Sequence, residues 1–92
     1  MSYKVDTTRK FDKALVKCIK RGLDISKFKE CVRILAQDGK LPSKYRPHKL
    51  SGKYQGSWEC HIEPDWLLVW QQKDRDLILL MVDTGTHSDI FG

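Results

Sequence analysis

From Gly56 to Val82 the chain reads GSWECHIEPDWLLVWQQKDRDLILLMV, and over this stretch its hydrophobic period is two. Trp58, Cys60 and Ile62 alternate with Ser57, Glu59 and His61, the pattern of a strand with one face on a core and the other polar. Glu63-Pro64-Asp65 carries turn chemistry, and Trp66 to Trp70 is apolar on both faces, as in a central strand. A polar hairpin loop, Gln71 to Arg75, leads into Asp76 to Val82, again mostly apolar. Three strands in succession, joined by turns this short, form an antiparallel meander.

Upstream the period changes. Tyr3-Lys4-Val5 is a short β-compatible opening, followed by Asp6, Thr7 and Thr8 as candidate helix caps. Phe11, Ala14, Leu15, Cys18 and Ile19 then make the stripe of an amphipathic helix that ends at Gly22. Its outer side is basic, with Lys10, Lys13, Lys17, Lys20 and Arg21. Asp24 or Ser26 can cap a second helix, with Phe28, Cys31, Val32, Leu35 and Ala36 on its apolar stripe and Gly39 at its end. So short a turn makes the two helices an antiparallel hairpin whose apolar seam needs a sheet to cover it. Lys40 to Lys53, with Pro42, Pro47 and Gly52, reads as a basic loop with little regular structure. Asp83 to Thr86 reads as a turn, and His87 to Gly92 as a helical turn capped by Ser88. The expected fold is therefore α+β: an N-terminal strand and an antiparallel helical hairpin packed on one face of a mainly antiparallel sheet of about four strands.

At 92 residues this is one domain, 1–92, with one two-layer core and no room for a regulatory domain. No apolar run approaches the ~20 residues that cross a bilayer, and Met1 to Asp6 lacks the apolar centre of a signal peptide, so a cytoplasmic protein without membrane association is expected. Cys18, Cys31 and Cys60 are odd in number, widely spaced and set in apolar patterns, which points to packing. The net charge of +5 divides unevenly: 15 Lys/Arg against 5 Asp/Glu through Lys53, then 2 against 7. The basic half suits a polyanion, although two mutually attracting solvated faces would read the same way.

Between His48 and Asp65 the chain becomes unusually rich in groups that move protons. His48, Glu59, His61 and Asp65 fall there, and His87 follows the last strand, so a meander can bring three imidazoles and two carboxylates to one concavity. Imidazole titrates near neutrality and can give or take a proton, while a carboxylate orients it or acts as a base. Lys44, Arg46, Lys49 and Lys53 add a phosphate-binding surround. That set suits RNA cleavage without a metal or other cofactor: a base deprotonates the ribose 2′-hydroxyl, the oxygen attacks phosphorus, and an acid protonates the leaving 5′-oxygen. No H-x-H or H-x-x-x-H spacing favours metal ligation. The plainer readings are a cross-strand ion pair for Glu59, a turn cap for Asp65, and core packing for Trp58, Trp66 and Trp70.

Three segments carry a resemblance: His48-Lys-Leu-Ser-Gly, His61-Ile-Glu-Pro-Asp-Trp, and Thr84-Gly-Thr-His. Together, in this order, they resemble the YafQ-type branch of the RelE/ParE toxin superfamily, over nearly the whole chain. The resemblance implies a toxin of a bacterial toxin–antitoxin pair that cleaves mRNA, often in the ribosomal A site, and is neutralised by the antitoxin of the adjacent gene. The free toxin is expected to be a monomer. Matched position by position, the resemblance implies an active site of His48, Glu59, His61, Asp65, His87 and Phe91. His87 would act as general acid, and His48, His61 and Asp65 would share base and orienting duties. One position departs from the pattern: relatives commonly place Arg before Thr-Gly-Thr-His, and this chain has Asp83. A carboxylate there repels phosphate, so a loop cation such as Lys49 or Lys53 is expected to substitute. The alternatives are a gyrase-directed toxin of the ParE branch, and a member that only binds RNA or antitoxin.

Overall fold

The computed structural model describes residues 2–92. Its regular elements in chain order are β1 (Lys4–Thr7), α1 (Arg9–Lys20), α2 (Ile25–Asp38), β2 (His48–Lys49), β3 (Trp58–Glu63), β4 (Trp66–Lys73), β5 (Ile78–Gly85) and α3 (His87–Phe91). The strands form one sheet in the order β1-β5-β4-β3-β2, with β1 parallel to β5 and the other pairs antiparallel. This is the expected strand, hairpin and meander, with one strand more than anticipated.

The helices start and stop for local reasons. Thr8 and Asp24, both in extended backbone, accept from the N–H groups of Phe11 and Ser26 and so cap α1 and α2. Gly39 closes α2 in the left-handed region at φ 71°, where the Tyr3 ring occupies the place a Cβ would need. That contact and the Tyr3 N–H to Ala36 carbonyl bond lay the start of the chain along the end of α2.

The hairpin packs on one sheet face. Phe11, Cys18, Cys31 and Leu35 from the helices meet Cys60, Ile62, Trp66, Leu68, Trp70, Leu79 and Met81 from the strands. The Trp58 and Trp70 rings stack with centroids 6.2 Å apart, in keeping with tryptophans used for packing. All three cysteines are buried and free, the Sγ atoms of Cys31 and Cys60 lying 3.8 Å apart. Contact with Cys31, then burial, pushes the Cys60 thiol far above its ordinary value. Neither thiol has the exposed, electropositive setting of a reactive cysteine.

The other face of β4 is buried too, because Leu67 and Val69 lie under Tyr54 and Ile90 in a second, smaller core. Covering that face requires the connecting segment to be ordered, contrary to the expectation of a plain loop. It contains two 3₁₀ turns, Ser43–Tyr45 and Gly52–Tyr54, and the two-residue β2 that adds the fifth strand.

Two boundaries near the C-terminus also differ from expectation. Residues 83–85 continue β5, held by the pairing of Leu67 with Gly85. The Thr84 hydroxyl also binds there, accepting from Trp66 Nε1–H and donating to the Leu67 carbonyl. The cap of α3 is Thr86, not Ser88: Thr86 is extended and exchanges hydrogen bonds with Asp89 in a capping box.

Candidate active site

The sheet register assembles the site. His48, Glu59, Val69 and Asp83 are successive Cα partners across β2, β3, β4 and β5. Directly paired residues share a face, so these four make one row on the side away from the helical hairpin. One step along, His61, Leu67 and Gly85 make the next row, and Thr86 and His87 follow immediately. His61 thus lies two strand spacings, about 10 Å, from the strand end that delivers His87. The Pro64-Asp65 turn closes the same end of the sheet.

Glu59 is 5% exposed, with Oε1 3.2 Å from His48 Nε2 and Oε2 buried without a partner among the described residues. His48 Nδ1 lies 2.9 Å from the Arg46 carbonyl, which can only accept, so Nδ1 donates. The imidazole is therefore strapped between a loop carbonyl and a buried carboxylate. His61 is arranged differently. Its Nδ1 donates to the Pro64 carbonyl at 3.2 Å, which selects the tautomer whose Nε2 carries a lone pair. His87 is exposed at the first position of α3, its ring 5.0 Å from that of Phe91 one turn later. Phe91 in turn meets Tyr54 edge-on, with centroids 5.9 Å apart.

Helix α3 has only five residues, so its position depends on side chains. Ile90 is buried in the second core, and Asp89 pairs with Arg21 at the end of α1. The Arg21 bonds first, then the Thr86 N–H, hold the Asp89 carboxyl well below the usual carboxylate range.

The structure distributes the remaining candidates. Asp65 is exposed in the turn after His61, with no hydrogen bond or ion pair among the described residues. Lys44 and Arg46 line a cleft of about 510 Å³ together with His61, Tyr45, Lys27 and Glu30. Lys53 places its ammonium 5.3 Å from the centre of the Tyr54 ring. Lys49 does not join them, because strand alternation turns it to the hairpin side, over the Trp58 ring. Among the described residues, no three His, Cys, Asp or Glu side chains converge as an ion-holding group.

Two further residues belong to this surface. The Tyr54 hydroxyl donates to Asp83 Oδ2 at 2.8 Å and accepts from Lys10 Nζ at 2.8 Å, while Lys10 Nζ lies 3.4 Å from the same carboxylate oxygen. Asp83 is thus 5% exposed but fully engaged, its Oδ1 accepting from the Thr84 N–H. Tyr54 sits inside the polar stretch between His48 and Asp65, where an aromatic between Gly52 and Gly56 was the available signal. Lys10 was legible only as one cation on a basic helix face.

Residues 3–92 match the family described as "Bacterial toxin of type II toxin-antitoxin system, YafQ". The mRNA interferase toxin YafQ of Escherichia coli strain K12 is 36% identical over 74 residues, 79% of this chain and 78% of that protein. The structure superposes on the crystal structure of the E. coli DinJ-YafQ toxin-antitoxin complex with a TM-score of 0.88 and 30% identity, covering 100% of each chain. A metal-bound toxin from Helicobacter pylori gives a TM-score of 0.87 and 38% identity, covering 99% of this chain and 100% of that one.

Proposed function

This chain belongs to the YafQ family of bacterial toxins of type II toxin–antitoxin systems, and from that membership and the site geometry we propose that it is an endoribonuclease that cleaves mRNA on the ribosome. The observation that carries the mechanism is the His61 tautomer. With Nδ1–H committed to the Pro64 carbonyl, Nε2 is the free acceptor that a general base requires. His61 takes the proton of the ribose 2′-hydroxyl, and the oxygen attacks the neighbouring phosphorus. The bond to the 5′-oxygen breaks as His87 protonates that oxygen, leaving a cyclic phosphate and a 5′-hydroxyl. A spacing of about 10 Å between the two delivering strand positions leaves room for a phosphodiester between the imidazoles.

Phe91 sets the His87 ring and offers a face to a base. Glu59 and His48 form a fixed, partly buried pair that orients the substrate side of the row, and Asp65, exposed in the adjacent turn, shares the orienting duty. Lys44 and Arg46 draw the RNA backbone into the cleft beside His61. The antitoxin, as DinJ does with the E. coli relative, would pair with the toxin directly. An acidic segment folding across the basic helices and the rim of the site fits the charge division along the chain.

The test is RNA cleavage by the purified toxin, with and without ribosomes and with and without EDTA, alongside growth inhibition. The chelator arm is needed because the H. pylori relative is a metal-bound toxin. Alanine at His61 or His87 is expected to abolish cleavage and relieve growth inhibition while the fold persists. Full toxicity in both variants refutes the assignment, and loss of cleavage in EDTA refutes the metal-free mechanism.

A further inference from the structure

We infer that Lys10, on α1, is the cation that stabilises the developing charge on the scissile phosphate, with Asp83 and Tyr54 as its positioning residues. The inference rests on the nuclease reading above and names a contact that the histidine set leaves unassigned. Charge stabilisation is what the site otherwise lacks near His87. Arg21 is committed to Asp89, Lys27 to Glu63 and Arg33 to Glu30. Lys49 is on the far face over Trp58, and Lys44 and Arg46 lie in the cleft beside α2. Lys13 and Lys17 line a cleft with Lys10, Asp83 and Asp89 but, among the described residues, bond no oxygen there, and the ammonium groups of Lys10 and Lys53 each lie 5.3 Å from the Tyr54 ring centre.

Of these, only Lys10 is fixed by oxygen atoms. Its Nζ donates to the Tyr54 hydroxyl at 2.8 Å and lies 3.4 Å from Asp83 Oδ2, whereas the Lys53 contact is with the ring alone. A charge held before the reaction begins requires no reorganisation as the transition state forms. An ammonium has three N–H donors; Tyr54 and Asp83 occupy two, and the third is available to a phosphate oxygen. The orientation is favourable as well. Asp83 is buried with 7% of its side chain exposed, while Lys10 is 58% exposed, so the pair presents its positive end outward.

Tyr54 links this cation to the acid, since its ring packs against Phe91 and Phe91 packs against His87. Asp83 therefore anchors a cation near the phosphate, instead of repelling the phosphate as its sequence position suggested. The Tyr54 hydrogen bond, then the Asp83 charge, raise the Lys10 ammonium above its ordinary value, so it stays charged at neutral pH and acts as a fixed charge.

The test uses single-turnover cleavage of an RNA oligonucleotide by the full chain, comparing wild type, K10M, K10R, K10M/D83N and H87A. K10M is expected to lower kcat roughly 100- to 1,000-fold, the range for losing one preorganised donor to transition-state charge. KM should change much less, the pH profile should keep its shape, and K10R should recover part of the rate. The double variant removes the carboxylate that K10M leaves unpaired, and it should fold normally and stay as slow as K10M. Wild-type rates in K10M beside a silent H87A overturn the inference and leave the nuclease reading standing. Recovery of rate in K10M/D83N also overturns it, since the defect would then belong to the orphaned carboxylate. No cleavage by the wild-type chain on any RNA removes the nuclease reading and Lys10's role together.

Discussion

Asp89→Ala should loosen α3 without unfolding the domain. Asp89 contributes two things to a five-residue helix: it accepts from the Thr86 N–H at 2.9 Å, and it takes a two-pronged bond from Arg21 with contacts of 2.5 and 3.2 Å. The capping bond contributes about 1 kcal/mol. The Arg21 pair is partly exposed, 46% on one side chain and 34% on the other, so solvent screening reduces it to a few tenths of a kcal/mol up to about 1. Burial of Ile90 supplies another ~2 kcal/mol. Removing about 1.5 kcal/mol from that local total raises the open fraction of α3 roughly tenfold. The assay is amide exchange at Ile90 and Gly92, whose N–H groups bond the carbonyls of Thr86 and Ser88. In Asp89→Ala both should exchange roughly tenfold faster than in wild type, while β4 amides are unchanged. Arg21→Met should accelerate them less. Because the folded carboxyl lies below its unfolded value, this stabilisation is complete above about pH 4 and fades as the pH falls further. The ratio of mutant to wild-type exchange should shrink accordingly. Unchanged exchange at Ile90, or equal acceleration throughout β4, would refute the view that Asp89 holds α3 locally.

Three other perturbations address the core, the cysteines and the RNA path. Trp66→Phe removes the indole N–H that donates to Thr84 in a site 1% exposed, and it should cost about 2–3 kcal/mol, read as a lower urea midpoint with an unchanged m-value. The native protein should leave all three thiols unmodified by a thiol reagent and expose three on denaturation, because each cysteine is buried and burial or Cys31 contact raises the Cys18 and Cys60 thiols; rapid native labelling would contradict that packing. For a K44A/R46A variant, the slope of log affinity against log salt for single-stranded RNA should flatten by about 1.4, the value for two lost phosphate contacts. An unchanged slope would place the RNA outside the cleft that these residues line with His61.

What the sequence made legible follows from the range of the physics involved. The two helices and the meander are set by short periods, and those periods survive in the structure because most of each stripe or alternating face finds the core it implies, although Ile19 at the end of the α1 stripe stays 49% exposed. The row His48–Glu59 was accessible in part, since alternation alone puts Glu59 and His61 on the polar side of β3. The pairing of β2 with β3 was not, because two residues carry no period at all. The second core was hidden for a related reason: Tyr54 and Ile90 lie in short segments too irregular to show a period, and only the register of the sheet shows what they cover. Asp83-Thr84-Gly85 carries turn preferences, and the Trp66–Thr84–Leu67 hydrogen bonds override them by extending β5 through Gly85.

Asp83 is the most instructive of these positions. Read along the chain, it is a carboxylate where a cation is wanted beside Thr-Gly-Thr-His. Read in space, it is the base of a three-residue assembly whose other members come from the start of α1 and the turn before β3. Its charge is met by Lys10 and its second oxygen by the Thr84 N–H, so burial leaves it no unmet demand. A buried carboxylate with an ammonium above it is electrostatically different from a bare one, because the exposed end of the pair decides what an approaching phosphate meets. The sign of a single residue is therefore a poor guide to the potential of a site assembled from distant segments. Had the register placed Asp83 one residue along, it would stand opposite Leu68, whose side chain lies in the main core, and not in the row of Glu59. The arrangement depends on the bulge between Val69 and Trp70, which brings Asp83 opposite Val69 and into the row of Glu59.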